Sequence, residues 1–284
     1  MFVHREGRAA EKKIVSFEHL SAADAAIFET FVVPRYLARY GELAMGLLLS
    51  GPEARVLHFG CRTGYPDLEL WQRVDSAEIV GMDASSAAIE LARRKTAARG
   101  DPAIDYRIGA ALPSDLEPGS FTHALTLHPI LSNDERAELL SALRWLLCPG
   151  GQALFAAPLR GSFQEVVDLF REYALKHDEA EFANEIERAL AARPSLETLS
   201  DEFEAAGFVD VDVEVRTLSL PFPNGRAFFE DPITRLMILP ELQSWITSTD
   251  LTRPMIYVRD AMDKYWSEAD VEISVNIGCA SARL

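Results

Sequence analysis

Four short runs are apolar on consecutive positions: VLHF (56–59), EIVGM (78–82), HALTL (123–127) and ALFAA (153–157). Strands covered by helices on both faces read this way, whereas a strand with one wet face alternates. Helical periodicity lies between the runs. Ser85 or Ser86 is placed to cap a helix running to about Arg99, ended by Gly100 and Pro102, with Glu90 four residues before Arg94. Ser132 and Glu135 have the spacing of a capping box, and Leu139, Leu140, Leu143, Leu146 and Leu147 follow as one stripe, stopped by CPGG. IDYRI (104–108) reads as a further strand. Strand alternating with helix predicts βαβ units and a doubly wound α/β sheet.

The C-terminal half has a different period. In FVDVDVEVRTL, Val209, Val211, Val213 and Val215 alternate with Asp210, Asp212, Glu214 and Arg216; in VEISVNIGC, Val271, Ile273, Val275 and Ile277 alternate with Glu272, Ser274 and Asn276. Period two predicts two strands near a sheet edge, paired antiparallel. The pattern divides the chain into a helical N-terminal cap (1–50), a core (51–160), a helical insertion (161–200) and a closing segment (201–284). The closing segment carries a cap insertion, rich in proline and aromatics, at about 219–270.

Composition narrows the function classes. The formal net charge of −16 argues against nucleic-acid and anionic-membrane partners. Half of it lies in 165–204, where twelve acidic and four basic side chains predict a solvated helical face or a docking surface for a basic protein partner. No run approaches a membrane span, and the charged start MFVHREGRAAEKK lacks an apolar signal core, so a cytoplasmic location is expected. Cys61, Cys148 and Cys279 are far apart with no CxxC partner, which predicts reduced thiols and no metal site.

In an open parallel sheet, ligands bind beyond the carboxyl ends of the strands where strand order reverses, so the loop after the first run is the first candidate site. There RVLHFGCRTGYPDLEL holds Gly60 and Gly64 as G-x-x-x-G, which fits neither the dinucleotide pattern nor a P-loop. VLHFGCRTG, GMDASSAAIELAR, IGAALP, GSFTHALTLHPI and LRWLLCPGGQALFAAP follow in that order, and LSDEFEAAGFVDVDV comes later. This series resembles the motif order of class I S-adenosylmethionine (SAM)-dependent methyltransferases. The resemblance implies a mostly parallel seven-stranded sheet whose last strand is antiparallel, and SAM as cofactor; the aromatic-rich insertion at 219–270 and the helices before Ser50 are expected to roof the site, which suits a small or lipid-like organic molecule as methyl acceptor.

Carried onto this chain, the resemblance places Asp83 at the cofactor ribose, with Met82 and Ala84 beside the adenine. Gly60 and Gly64 fall in the loop at the methionine end, Ala110 and Ala111 near the adenine, and Leu127, His128 and Pro129 near the methyl-transfer centre. The chain departs from the family at four places: His58 replaces an acid at the end of the first strand, Arg62 replaces the middle glycine of the loop, Ala110 replaces an acid, and Thr122 replaces another before the fourth strand. His58 and Arg62 therefore stand at the cofactor with no negative charge to offer. Arg62 can fork onto a cofactor carboxylate, fill the pocket or face solvent. Methyl transfer needs positioning, and a base only for a protonated acceptor; His128 is the candidate base, or else a hydrogen-bonded structural histidine. Two functions follow: a methyltransferase with an altered cofactor grip, or a methyltransferase-like pseudoenzyme serving as a binding or scaffold protein.

Overall fold

The computed structural model describes residues 20–49, 51, 53–74, 77–100, 103–109, 111–112, 115–247 and 250–284. Seven strands form one sheet: β1 (Arg55–Phe59), β2 (Glu78–Asp83), β3 (Ile104–Ile108), β4 (Phe121–Leu127), β5 (Leu147–Pro158), β6 (Val209–Phe222) and β7 (Val271–Arg283). Their spatial order is β3-β2-β1-β4-β5-β7-β6. The pairs β1–β2, β1–β4, β2–β3 and β4–β5 are parallel, and β7 runs antiparallel between β5 and β6. Strand order reverses at β1, so the cleft beyond β1 and β4 is the ligand end of the sheet.

The N-terminal cap is α1 (Ala22–Ile27), a π-helical stretch Phe28–Leu37 and α2 (Ala38–Leu47). Pro34 sits inside the π-helical stretch, where its missing N–H breaks the regular α ladder. The sheet is flanked by α3 (Asp67–Arg73), α4 (Ser86–Ala97) and α5 (Asn133–Leu146). Ser85 caps α4, and Ser132 with Glu135 closes a full capping box on α5. Helices α6 (Gln164–Lys176), α7 (Ala180–Ala192) and α8 (Leu196–Ala205) carry the acidic segment. The second cap holds α9 (Gly225–Glu230), a π-helical turn Thr234–Ile238, α10 (Leu239–Trp245) and α11 (Thr252–Tyr265).

The pleat sends alternate residues of each strand into two cores. Val56 joins the cluster formed with both caps, α6 and α7; Leu57 and Phe59 join the cluster with α5 and α8. Edge strand β6 departs from the alternation read in the sequence. Val209 and Val215 are exposed along with the acids between them. A register shift between Val209 and Asp212, with Asp210 at φ 51°, twists this end, where only Val211 and Val213 pack on the cluster that includes Leu199 and Phe203 of the helix before the strand. Among the described residues no helix is long and apolar enough to cross a membrane.

Candidate functional site

The chain turns sharply after β1. Gly60 and Gly64 adopt φ of 74° and 80°, and Arg62 between them adopts 47°. The Gly60 and Cys61 N–H groups donate to the Met82 carbonyl, tying the loop to the end of β2. Gly64 answers to packing: a Cβ there would lie 2.3 Å from the Tyr106 hydroxyl oxygen. The positive φ of Arg62 is the left-handed backbone that a side chain makes costly, at about 1–2 kcal/mol.

That cost is borne because the Arg62 side chain folds inward, and the residue is 8% exposed. Its two terminal nitrogens donate to the carbonyls of Leu127 and His128, each at 2.8 Å. The guanidinium also lies 5.8 Å from the Phe28 ring centroid, under the N-terminal cap. Burial pulls the Arg62 pKa below the usual arginine range, and the charge of Asp83 opposes that shift. The arginine thus spans the ends of β1 and β4.

Asp83 is 1% exposed and bonded on both oxygens: one accepts the Arg62 N–H at 3.0 Å, the other the Ser85 N–H at 2.8 Å. Burial raises its pKa, while those hydrogen bonds and the Arg62 charge work against the rise. Met82 and Ala84 are buried beside it. Ala111 is half-buried, and Ala110 lies outside the described residues.

His58 and His128 both point into the interior. His58 Nδ1 lies 2.6 Å from Asp67 Oδ1, and both residues are buried. The sequence reading did not single out Asp67: the acid missing from the end of β1 reappears nine residues later, at the first position of α3. There its partner is His58, so it is not a free charge for a ligand. His128 has φ 49° and bonds Tyr36 at 2.8 Å; Tyr36 in turn bonds Tyr40 at 2.8 Å. Burial, aided by the Arg62 cation, pushes the His128 pKa down to about 3, so the ring is neutral and enclosed. Thr122 joins β4 to Arg55 by hydrogen bonds through its hydroxyl.

A second charged group lies next to His128. Glu241 Oε2 is 3.9 Å from His128 Nε2, and Glu241 Oε1 accepts from Arg193 at 2.8 Å. Neither Arg193 nor Glu241 carries a local motif, and they lie 48 positions apart, so only the fold brings them together. Among the described residues no group of three or more His, Cys, Asp or Glu is arranged to hold a metal.

SAM presents a sulfonium, an ammonium, a carboxylate and two ribose hydroxyls. Where the resemblance places the ribose, Asp83 is buried and bonded to backbone; near the methyl-transfer centre, the carbonyls of Leu127 and His128 are taken by an arginine cation. The residues as arranged do not fit the cofactor.

The chain is similar to known proteins in sequence and in fold. The family model described as "Methyltransferase domain" matches residues 56–151. Carboxy-S-adenosyl-L-methionine synthase of Pseudomonas putida (strain F1) is 27% identical over 152 residues, covering 49% of this chain and 62% of the relative. The chain thus spans less than two thirds of that relative's length. Among solved structures, the YcgJ protein of Bacillus subtilis superposes with a TM-score of 0.57 at 14% identity, covering 87% of this chain and 98% of its own. Phosphoethanolamine N-methyltransferase 2 of Haemonchus contortus, in complex with SAM, gives 0.56 at 15% identity, covering 93% and 57%.

Proposed function

Since the core of this chain belongs to the class I SAM-dependent methyltransferases, with a degenerate cofactor motif, we propose that it has kept the fold and given up methyl transfer, serving as a binding protein. One observation carries this reading. The Arg62 guanidinium is buried and bonded to the carbonyls of Leu127 and His128, the residues that the resemblance to the family puts near the methyl-transfer centre. A sulfonium brought there would meet a like charge. Two unit charges 4 Å apart interact by about 4 kcal/mol at an effective dielectric of 20, or roughly three orders of magnitude in affinity.

Calorimetric titration with SAM tests the reading. Wild type is expected to bind SAM no more tightly than about 1 mM. Arg62→Gly removes both the cation and its bulk and should strengthen binding at least tenfold. S-adenosylhomocysteine, which lacks the sulfonium charge, should bind wild type better than SAM does. Micromolar SAM binding by wild type, weakened in Arg62→Gly, would overturn the proposal.

That outcome would support the second reading, a methyltransferase for a small organic acceptor. It draws on Asp83, which ends β2 where the family places its ribose-binding acid. In that case Arg62 must leave the Leu127 and His128 carbonyls for SAM to enter, and His128, already neutral, would need no deprotonation to serve as the base.

A further inference from the structure

The sheet ends in an open edge. β6 is its outermost strand, and among the described residues β7 is the only strand beside it. Alternate residues of an edge strand turn their backbone N–H and C=O groups outward, where they offer a template for another strand. Natural edges are commonly blunted, and this one is blunted at its ends. The register shifts between Val209 and Asp212, and Pro221, which has no N–H, stands near the other end. From Asp212 to Leu220, β6 follows β7 residue for residue without a bulge. In that stretch Asp212, Glu214, Val215, Arg216, Thr217 and Ser219 are exposed. Val215 is 46% exposed, although valine is a strong strand former.

The charges of the open stretch are arranged about Val215. Glu214 and Arg216 flank it, and neither side chain makes a hydrogen bond or an ion pair among the described residues. Two identical antiparallel strands related by a two-fold axis pair symmetrically about one central residue. With Val215 at the centre, Glu214 of each copy lies opposite Arg216 of the other. Val215 then meets Val215, Val213 meets Thr217, and Asp212 meets Leu218. Opposite charges directly across an antiparallel pair stabilise it, and like charges do the reverse. The neighbouring registers lose this match. Centred on Val213, Asp212 faces Glu214; centred on Glu214 or Arg216, that charge faces itself. Centring on Thr217 sets both charges opposite leucines.

We infer that the β6 edge is an interface between two copies of this chain, joined antiparallel about Val215 so that their sheets run on as one. The interface is built on backbone hydrogen bonds with the flanking charges fixing the register, and it is small, which makes the dimer a weak one. The formal charge of −16 on each chain opposes approach at a distance, and at 0.15 M salt that repulsion is screened within about 8 Å. The inference goes beyond the reading of the cofactor cleft and does not rest on it, because β5 and β7 stand between β6 and the ends of β1 and β4.

Sedimentation equilibrium of the full chain in 0.15 M salt, without SAM, tests the interface. Wild type should dimerise with a Kd of about 100 μM or tighter. Val215→Lys sets two cations face to face at the two-fold axis and should weaken the dimer at least tenfold. Glu214→Arg sets like charges opposite each other twice and should weaken it as well. Combining Glu214→Arg with Arg216→Glu restores opposite charges and should bring the Kd back to within about threefold of wild type. Should a variant fail to fold, hydrogen exchange in wild type decides: the outward amides of residues 213–217 should exchange more slowly as the protein concentration is raised through the Kd. A chain that stays monomeric at about 1 mM, or a dimer that Val215→Lys leaves unchanged, would overturn the proposal. So would a charge swap that fails to restore association, or exchange at 213–217 that ignores concentration. SAM binding by wild type would refute the closed cofactor cleft and leave this result untouched.

Discussion

Arg62 and His128 are the two non-glycine residues at the head of the cleft whose backbones are held at positive φ, and each directs its side chain inward. Enclosure of His128 has a consequence in pH. Its pKa in the folded chain is about 3, against about 6.5 for histidine in an unfolded chain. Below pH 6.5 the unfolded chain therefore takes up a proton that the folded chain refuses, and stability falls as pH falls, by about 1.4 kcal/mol per unit down to about pH 3. His123, also lowered by burial, adds to that slope, while the raised carboxyls of Asp83 and Glu241 act in the opposite sense. His128→Asn tolerates the backbone and removes one titration. Urea denaturation between pH 6 and 4 should show wild type losing stability faster than the variant by about 1.4 kcal/mol per unit; equal slopes would mean that the imidazole is not desolvated. In the sequence, the replacement of an acid by His58 and of a glycine by Arg62 was legible as a change of charge. The direction of Arg62 was not, because it depends on carbonyls 65 and 66 residues away.

At the level of elements, the strands of the parallel core could be read because consecutive apolar residues have one economical place, between two helical layers. The extent of β6 and β5 was harder. CPGG reads as a helix stop, and the structure carries β5 through it, with Gly150 N–H bonded to the Leu284 carbonyl. The partnership of α10 with the end of α7 was invisible for a different reason: an arginine before a proline and a glutamate after one have no period to betray them. The loop after β1 shows how one motif can mislead. Gly64 looks like a cofactor glycine, yet its missing side chain makes room for Tyr106 of β3. Gly64→Ala should cost about 2–4 kcal/mol, combining left-handed strain with overpacking. Adding Tyr106→Phe removes the hydroxyl oxygen 2.3 Å from the new Cβ and should recover part of the packing cost, but none of the backbone strain. Chemical denaturation of the single and double variants checks this; Gly64→Ala within 0.5 kcal/mol of wild type, the scale of an ordinary surface change, would return the glycine to a ligand role.

Over the whole molecule, the formal charge of −16 is unevenly held. Some acids of the 165–204 segment have structural partners: Glu202 clamps Arg136, Glu187 clamps Arg171, and Glu185 is buried and accepts from the Thr247 N–H. Asp178, Glu181, Asp201 and Glu204 on α7, α8 and the turn before α7 are exposed. Acids of this second kind repel one another through water, so each costs the fold a little and none defines its shape. A basic protein partner docking on this face would draw on the same four carboxylates. Changing these four to Asn or Gln lowers the formal charge from −16 to −12. The variant should be at least as stable as wild type at low ionic strength, by up to about 1 kcal/mol, and the gain should disappear near 1 M salt, where the screening length is about 3 Å. The behaviour of Arg62→Gly toward SAM should be the same in this background, because the substitutions touch neither the β1 loop nor the end of β4. Thermal unfolding across salt concentrations is the measurement. A loss of stability that salt does not alter would mean that the segment packs through these acids, and that the negative charge belongs to the architecture rather than to the surface.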